Sequence, residues 1–156
     1  MIEDIAKVNR PILGEEIPLL IFRAFRHFSA NYAKDLIGEK GANIIFQNAG
    51  KDLGKELSNL VYDSNIEKYL DNIKNFVKDN KIGILIPVEL SNNKIILALD
   101  ECITCAGMPN IGQRICHFEV GFTAGLVEAF LHKKVKAFES KCGANGEGIC
   151  EVTLEI

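Results

Sequence analysis

The sequence predicts an α+β fold in which an antiparallel β-sheet packs against several helices. Three observations carry that expectation. Apolar residues recur at helical spacing through the N-terminal half, as in Ile66, Tyr69, Leu70, Ile73, Phe76 and Val77. From Ile82 the pattern changes to short runs rich in Ile, Leu and Val, separated by polar or glycine-rich turns. One apolar helix, residues 116 to 131, stands between the two hairpins of that second half.

The first helix follows Gly14 and carries Pro18 in its first turn, where a missing N–H costs little. Ile17, Leu20, Ile21, Ala24, Phe25 and Phe28 form its stripe, and Gly38 is the expected stop. Leu19 and Phe22 lie outside that stripe, so a second buried face is expected, in a dimer contact or under a third layer of the domain. A second helix is expected from Gly41 to Tyr62, with Ile45, Ala49, Leu53, Leu57, Leu60 and Val61 inward. Gly50 and Gly54 share one face and each weakens the helix by about 1 kcal/mol relative to Ala. Close approach of another element would compensate; the alternative is a break there. In the third helix Ser64 and Glu67 form a capping box.

Ile84 to Leu90 and Lys94 to Leu99 flank the turn Ser91-Asn92-Asn93 and give a hairpin, with Pro87 marking an edge position or a bulge. In the helix from residue 116, Phe118, Val120, Phe122, Ala124, Leu126, Val127 and Phe130 cannot share one narrow stripe, so burial on several sides is expected. Gly121 and Gly125 again point to close packing. A strand from Lys134 to Ser140, the loop Gly143-Ala-Asn-Gly-Glu-Gly-Ile and a last strand beginning at Cys150 close the chain.

The 156 residues fit a single domain, 1–156, with residues 1–11 as a lead-in. A hydrophobic content of 47% and a charged content of 25% are those of a globular chain. The formal net charge of −3 argues against direct nucleic-acid binding. No run approaches the roughly 20 apolar residues of a membrane span. The acidic start lacks the apolar core of a signal peptide, so a cytoplasmic location is expected. Five cysteines in a reducing compartment then point to metal or catalysis before disulfides.

Those cysteines carry the functional expectation. Glu139 continues the inward row of Val135 and Ala137, and a carboxylate there needs a partner or a metal. Cys142 follows three residues later, and Cys150 begins an inward row with Val152, Leu154 and Ile156. Cys116 stands at the start of the apolar helix, whose dipole favours a thiolate. Cys116, Glu139, Cys142 and Cys150 would fill a tetrahedral zinc shell, a structural rather than a catalytic site. Buried, metal-free cysteines are the alternative, and His117, His132 and Glu147 compete as ligands. Cys102-Ile-Thr-Cys105 is a second pair, with redox or metal-binding spacing. With Cys116 and one later cysteine it would suit an iron–sulfur cluster, ranked below zinc. No phosphate loop, dinucleotide fingerprint or nucleophile elbow is present in the sequence.

The run Cys116-His-Phe-Glu-Val-Gly-Phe-Thr-Ala-Gly, then Glu139-Ser-Lys-Cys142 and Cys150, resembles the 4-vinyl reductase domain family. Leu36-Ile-Gly38-Glu-Lys-Gly41, Ala49-Gly50 and Gly54 resemble that family's helical half, so the resemblance spans residues 12–156. It implies a fold shared with subunits of the TRAPP vesicle-tethering complex, often dimeric. It also implies kinship with the sensor domain of aromatic-responsive activators, which holds a small hydrophobic ligand beside zinc bound by three cysteines and a glutamate. That ligand set maps onto Cys116, Glu139, Cys142 and Cys150. The expected function is thus a zinc-stabilised, homodimeric module enclosing a small hydrophobic molecule, not an enzyme, with output through a separate partner. The rivals are a reductase or accessory protein of tetrapyrrole metabolism, with Cys102 and Cys105 as its redox pair, and a scaffold subunit.

Overall fold

A computed structural model of the chain describes residues 2–156; Met1 of the expected lead-in lies outside them. The order of elements is α1 Ile2–Ile5, α2 Leu19–Val61, α3 Ile66–Asp79, β1 Ile84–Leu90, β2 Lys94–Asp100, α4 His117–Leu131, β3 Lys136–Lys141 and β4 Cys150–Glu155. The chain forms two compact units, one ending at Ala42 and the other Asn43–Ile156.

In the first unit, α2 begins just after Pro18, whose carbonyl accepts from the Ile21 N–H at 2.9 Å. The ring therefore precedes the helix instead of lying in its first turn. Gly38 leaves helical angles (φ 77, ψ 160), as the expected stop requires. The expected inward stripe of this segment is exposed: Phe25 is 75% accessible, and Ile21, Phe28, Tyr32 and Leu36 continue the same face. Spacing identifies an apolar face, but not whether the same chain covers it.

In the second unit the four strands form one antiparallel sheet in the order β1-β2-β4-β3. Pro87 occupies the edge strand β1, and the register shifts between Pro87 and Glu89, so it marks both an edge and a bulge. Helix α3 is capped by Asn65, not Ser64: its side-chain oxygen accepts from the Glu67 and Lys68 N–H groups at 2.9 and 3.1 Å. Tyr69, Ile73 and Val77 are its buried residues.

The second half of α2 and helix α4 meet backbone to backbone. A Cβ added to Gly50 or Gly54 would strike the carbonyls of Phe118 or Phe122. One added to Gly121 or Gly125 would strike those of Gln47 or Lys51. The four glycines therefore interlock across one crossing, and the helix does not break at Gly50. This contact selects the inward face of α2. Gly50, Gly54, Leu57 and Ser58 are buried, whereas Ile45, Ala49 and Leu60, expected inward, are exposed. An ion-pair clamp flanks the crossing, with the Lys51 and Lys55 ammonium groups 2.6 and 3.1 Å from the buried Glu128 carboxylate. Burial pushes the Glu128 pKa up, but the lysines and the Val135 N–H outweigh it and the net shift is downward. On its other side α4 packs Val120 and Ala124 against Val152 and Leu154 of β4.

Candidate metal centre

Sheet topology gathers the chemistry at one corner of the second unit. Leu99 pairs with Cys150, so the end of β2 lies beside the start of β4. The chain leaving β2 turns at once through Cys102 to Cys105, with the Cys102 carbonyl accepting from the N–H groups of Cys105 and Ala106 at 3.2 and 2.9 Å. On the other side Glu139 pairs with Val152, and the register slips between Glu139 and Lys141. That bulge decides where Cys142 points. In a regular strand Glu139 and Lys141 would share the inner face and Cys142 would turn outward. The extra residue, Ser140, lets Lys141 turn out to the Glu151 carboxylate at 2.8 Å, while Glu139 and Cys142 are both buried. Cys116 enters the same corner as the N-cap of α4.

All five cysteines are buried thiols, not disulfides. The Cys116 sulfur lies 3.7 Å from Cys102, 3.5 Å from Cys105, 3.9 Å from Cys142 and 3.5 Å from Cys150. Cys105 and Cys150 are 3.0 Å apart. Two overlapping sets have all their ligand atoms within 4.8 Å of one another: Cys116, Glu139, Cys142 and Cys150, and Cys102, Cys105, Cys116 and Cys150. The first is the set expected from the sequence. The second brings in Cys102 and Cys105, whose proximity to the site depends on the pairing of β2 with β4 and is invisible in a linear pattern. Neither His117, His132 nor Glu147 belongs to either set. Glu147 is bound outside by Arg114, in two hydrogen bonds of 2.9 and 2.6 Å, and accepts from the Cys142 N–H at 3.0 Å. Arg114 holds its carboxyl down at about 2.

The electrostatics suit a cation. Burial drives the Glu139 carboxyl up to about 9. Its Oε2 accepts from the Cys116 N–H at 3.1 Å, while Oε1 is buried with no hydrogen-bond partner among the described residues. The sulfurs split into opposed groups. Cys102 and Cys142 are pulled down, chiefly as acceptors from Cys105. Cys105 rises to about 12, and Cys116 and Cys150 rise as well, each foremost through Cys102. Packed anions cannot all ionise together without a counter-charge. An orphaned carboxylate oxygen among thiols is a donor set that fits a thiophilic divalent ion. The buried cluster can therefore hold a metal.

Beside it lies a cavity of about 510 Å³, whose wall includes Tyr69, Leu97, Phe122, Leu126, Val127 and Phe130 and ends at Cys116, Glu139 and Cys150. Glu119 and Thr123 contribute polar atoms to that wall. The Thr104 hydroxyl donates to Glu119 at 2.6 Å, tying the turn between Cys102 and Cys105 to the cavity. The Tyr69 hydroxyl donates to the Leu126 carbonyl at 2.9 Å. The sequence named none of these lining residues, since they come from separate elements.

Comparison with known proteins places this architecture. The family model for the vinyl-4-reductase domain matches residues 95–156. MJ0150, an uncharacterized protein of Methanocaldococcus jannaschii, is 38% identical over 157 residues, covering 99% of this chain and 86% of that protein. Among solved structures, the phenol-responsive sensory domain of the transcription activator PoxR, with phenol, superposes at a TM-score of 0.69 and 15% identity, covering 90% of this chain and 77% of that one. Subunit 3 of a trafficking protein particle complex from Naegleria fowleri, covalently bound to palmitic acid, gives 0.67 and 16%, with coverage of 88% and 93%. A vinyl-4-reductase family protein from M. jannaschii gives 0.59 and 21%, with coverage of 92% and 85%. At these identities the solved structures share the fold, and with the family match and the full-length relative they fix the assignment: the chain belongs to the vinyl-4-reductase domain family.

Proposed function

We propose that this protein is a sensor-type module that encloses a small hydrophobic molecule beside a structural zinc ion held by Cys116, Glu139, Cys142 and Cys150, and that it works as a homodimer. The observation that carries the reading is the cavity of about 510 Å³, apolar over most of its wall and closed at one end by three of those four residues. Its volume suits a small ligand. The fold shared with a sensory domain that responds to phenol supports the same reading. Bound at this corner, zinc would supply a cross-link between the start of α4, the end of β3 and the start of β4. The protein's own residues do the rest: Leu126 and Phe130 exclude water, and the Glu119 carboxylate offers a polar handle beside the apolar wall. A ligand seated there touches Cys116 and α4 directly, so occupancy and the order of the metal corner are coupled. The exposed apolar stripe of the first unit supports the dimer.

The test is the melting temperature of the full chain with phenol, toluene and decanol as probes. A saturable rise with at least one is expected, abolished in Val127→Phe, which puts a ring into the cavity. If no probe raises the melting temperature, and native mass spectrometry of the purified chain finds no organic passenger, the ligand-binding reading fails.

A further inference from the structure

The site as read so far uses three of the five buried cysteines and leaves Cys102 and Cys105 packed against it. Their sulfurs are not a separate pair. Cys102 is 3.7 Å from Cys116, and Cys105 is 3.5 Å from Cys116 and 3.0 Å from Cys150. A tetrahedral ion with metal–sulfur bonds near 2.3 Å sets its sulfurs about 3.8 Å apart. Most separations already lie close to that edge, and the Cys105 to Cys150 contact needs to open by several tenths of an ångström. The two four-residue sets share one edge, Cys116 to Cys150, at 3.5 Å. Two four-coordinate ions that share an edge need six ligand residues in total. The corner supplies six.

We propose that this corner is a two-metal centre: Cys102 and Cys105 hold a second zinc-class ion that shares the Cys116 and Cys150 thiolates with the first. The proposal rests on the one-metal reading above, since the shared edge belongs to both sites. Charge favours it. One divalent ion with three thiolates and a carboxylate carries a net charge of −2, and a second ion with two further thiolates leaves that total unchanged. Without the second ion, Cys102 and Cys105 must remain buried thiols against anionic sulfurs, a poor use of two strong ligands. The positive end of α4 at Cys116 offsets the residual charge. The polypeptide is suited to the task, because the backbone turn from Cys102 to Ala106 closes the loop that carries both sulfurs.

Zinc per chain is measured by plasma mass spectrometry on the full-length protein after refilling with zinc sulfate and desalting. Two ions are expected in the wild type and one in Cys102→Ser/Cys105→Ser. One zinc in both proteins overturns the second site and leaves the one-metal reading standing; no zinc in either overturns both. Two ions persisting in the double variant, or iron with acid-labile sulfide in the wild type, also overturn the proposal. Because a double serine variant can lose its fold, wild-type protein loaded with ¹¹³Cd gives an independent readout. Two resonances coupled through shared sulfurs are expected; a single resonance, or two without coupling, overturns the shared edge.

Discussion

At the residue scale the account turns on Glu139. Its Oε1 has no hydrogen-bond partner among the described residues and its carboxyl is pushed up to about 9 by burial, so a cation at this spot satisfies a group the protein otherwise leaves strained. Glu139→Gln keeps the shape and removes the charge. Zinc affinity, read by competition with a chromophoric chelator, is expected to fall on the order of 100-fold; unchanged retention would remove Glu139 from the ligand shell. Tyr69 provides a second residue-level test. Burial raises its hydroxyl to about 12, so its contribution to stability is fully present below about pH 10 and is lost as pH rises through 12. An ultraviolet titration should show a late tyrosine component that disappears in Tyr69→Phe, and its persistence there would assign it elsewhere.

At the scale of elements, the reciprocal glycines of α2 and α4 are the most exacting contact. A methyl group on Gly121 meets the Gln47 carbonyl, and backbone cannot move aside as a side chain can. Gly121→Ala is therefore expected to cost about 3 kcal/mol in denaturant unfolding. A loss below about 0.5 kcal/mol would mean that the helices do not approach this closely. Part of this was legible: glycines four apart on both helices announced close packing, although not that the pairs meet each other. The inward face of α2 was misread, because Ile45 and Leu60 outweigh the glycines in any count of apolar residues, whereas backbone contact sets the geometry. The antiparallel hairpins, the bulge near Pro87 and the inward Glu139 all followed from period and residue type. The bulge at Ser140 did not, since nothing in Glu139-Ser-Lys-Cys142 distinguishes a regular strand from one with an extra residue. Cys142 was still identified, through the resemblance and the glycine-rich loop rather than through strand geometry.

At the scale of the whole molecule, two matters lie beyond one-dimensional pattern. The strand order β1-β2-β4-β3 sets the Cys102 to Cys105 turn beside Cys150, and only that pairing unites the five cysteines. The second matter is the exposed stripe Ile21, Phe25, Phe28, Tyr32 and Leu36, spaced as one helical face. If it is the homodimer contact, Phe25→Glu with Leu36→Glu should convert a dimer to a monomer in light scattering without lowering metal content. A dimer that survives both changes would place the contact elsewhere. The most direct test of the central claim, a metal corner at the wall of a ligand cavity, is native mass spectrometry of the full chain purified without added metal. The expected result is a zinc-bearing chain that loses its metal in Cys150→Ser, since that sulfur belongs to both ligand sets. A wild-type chain that carries no metal and takes up none from added zinc would contradict the account.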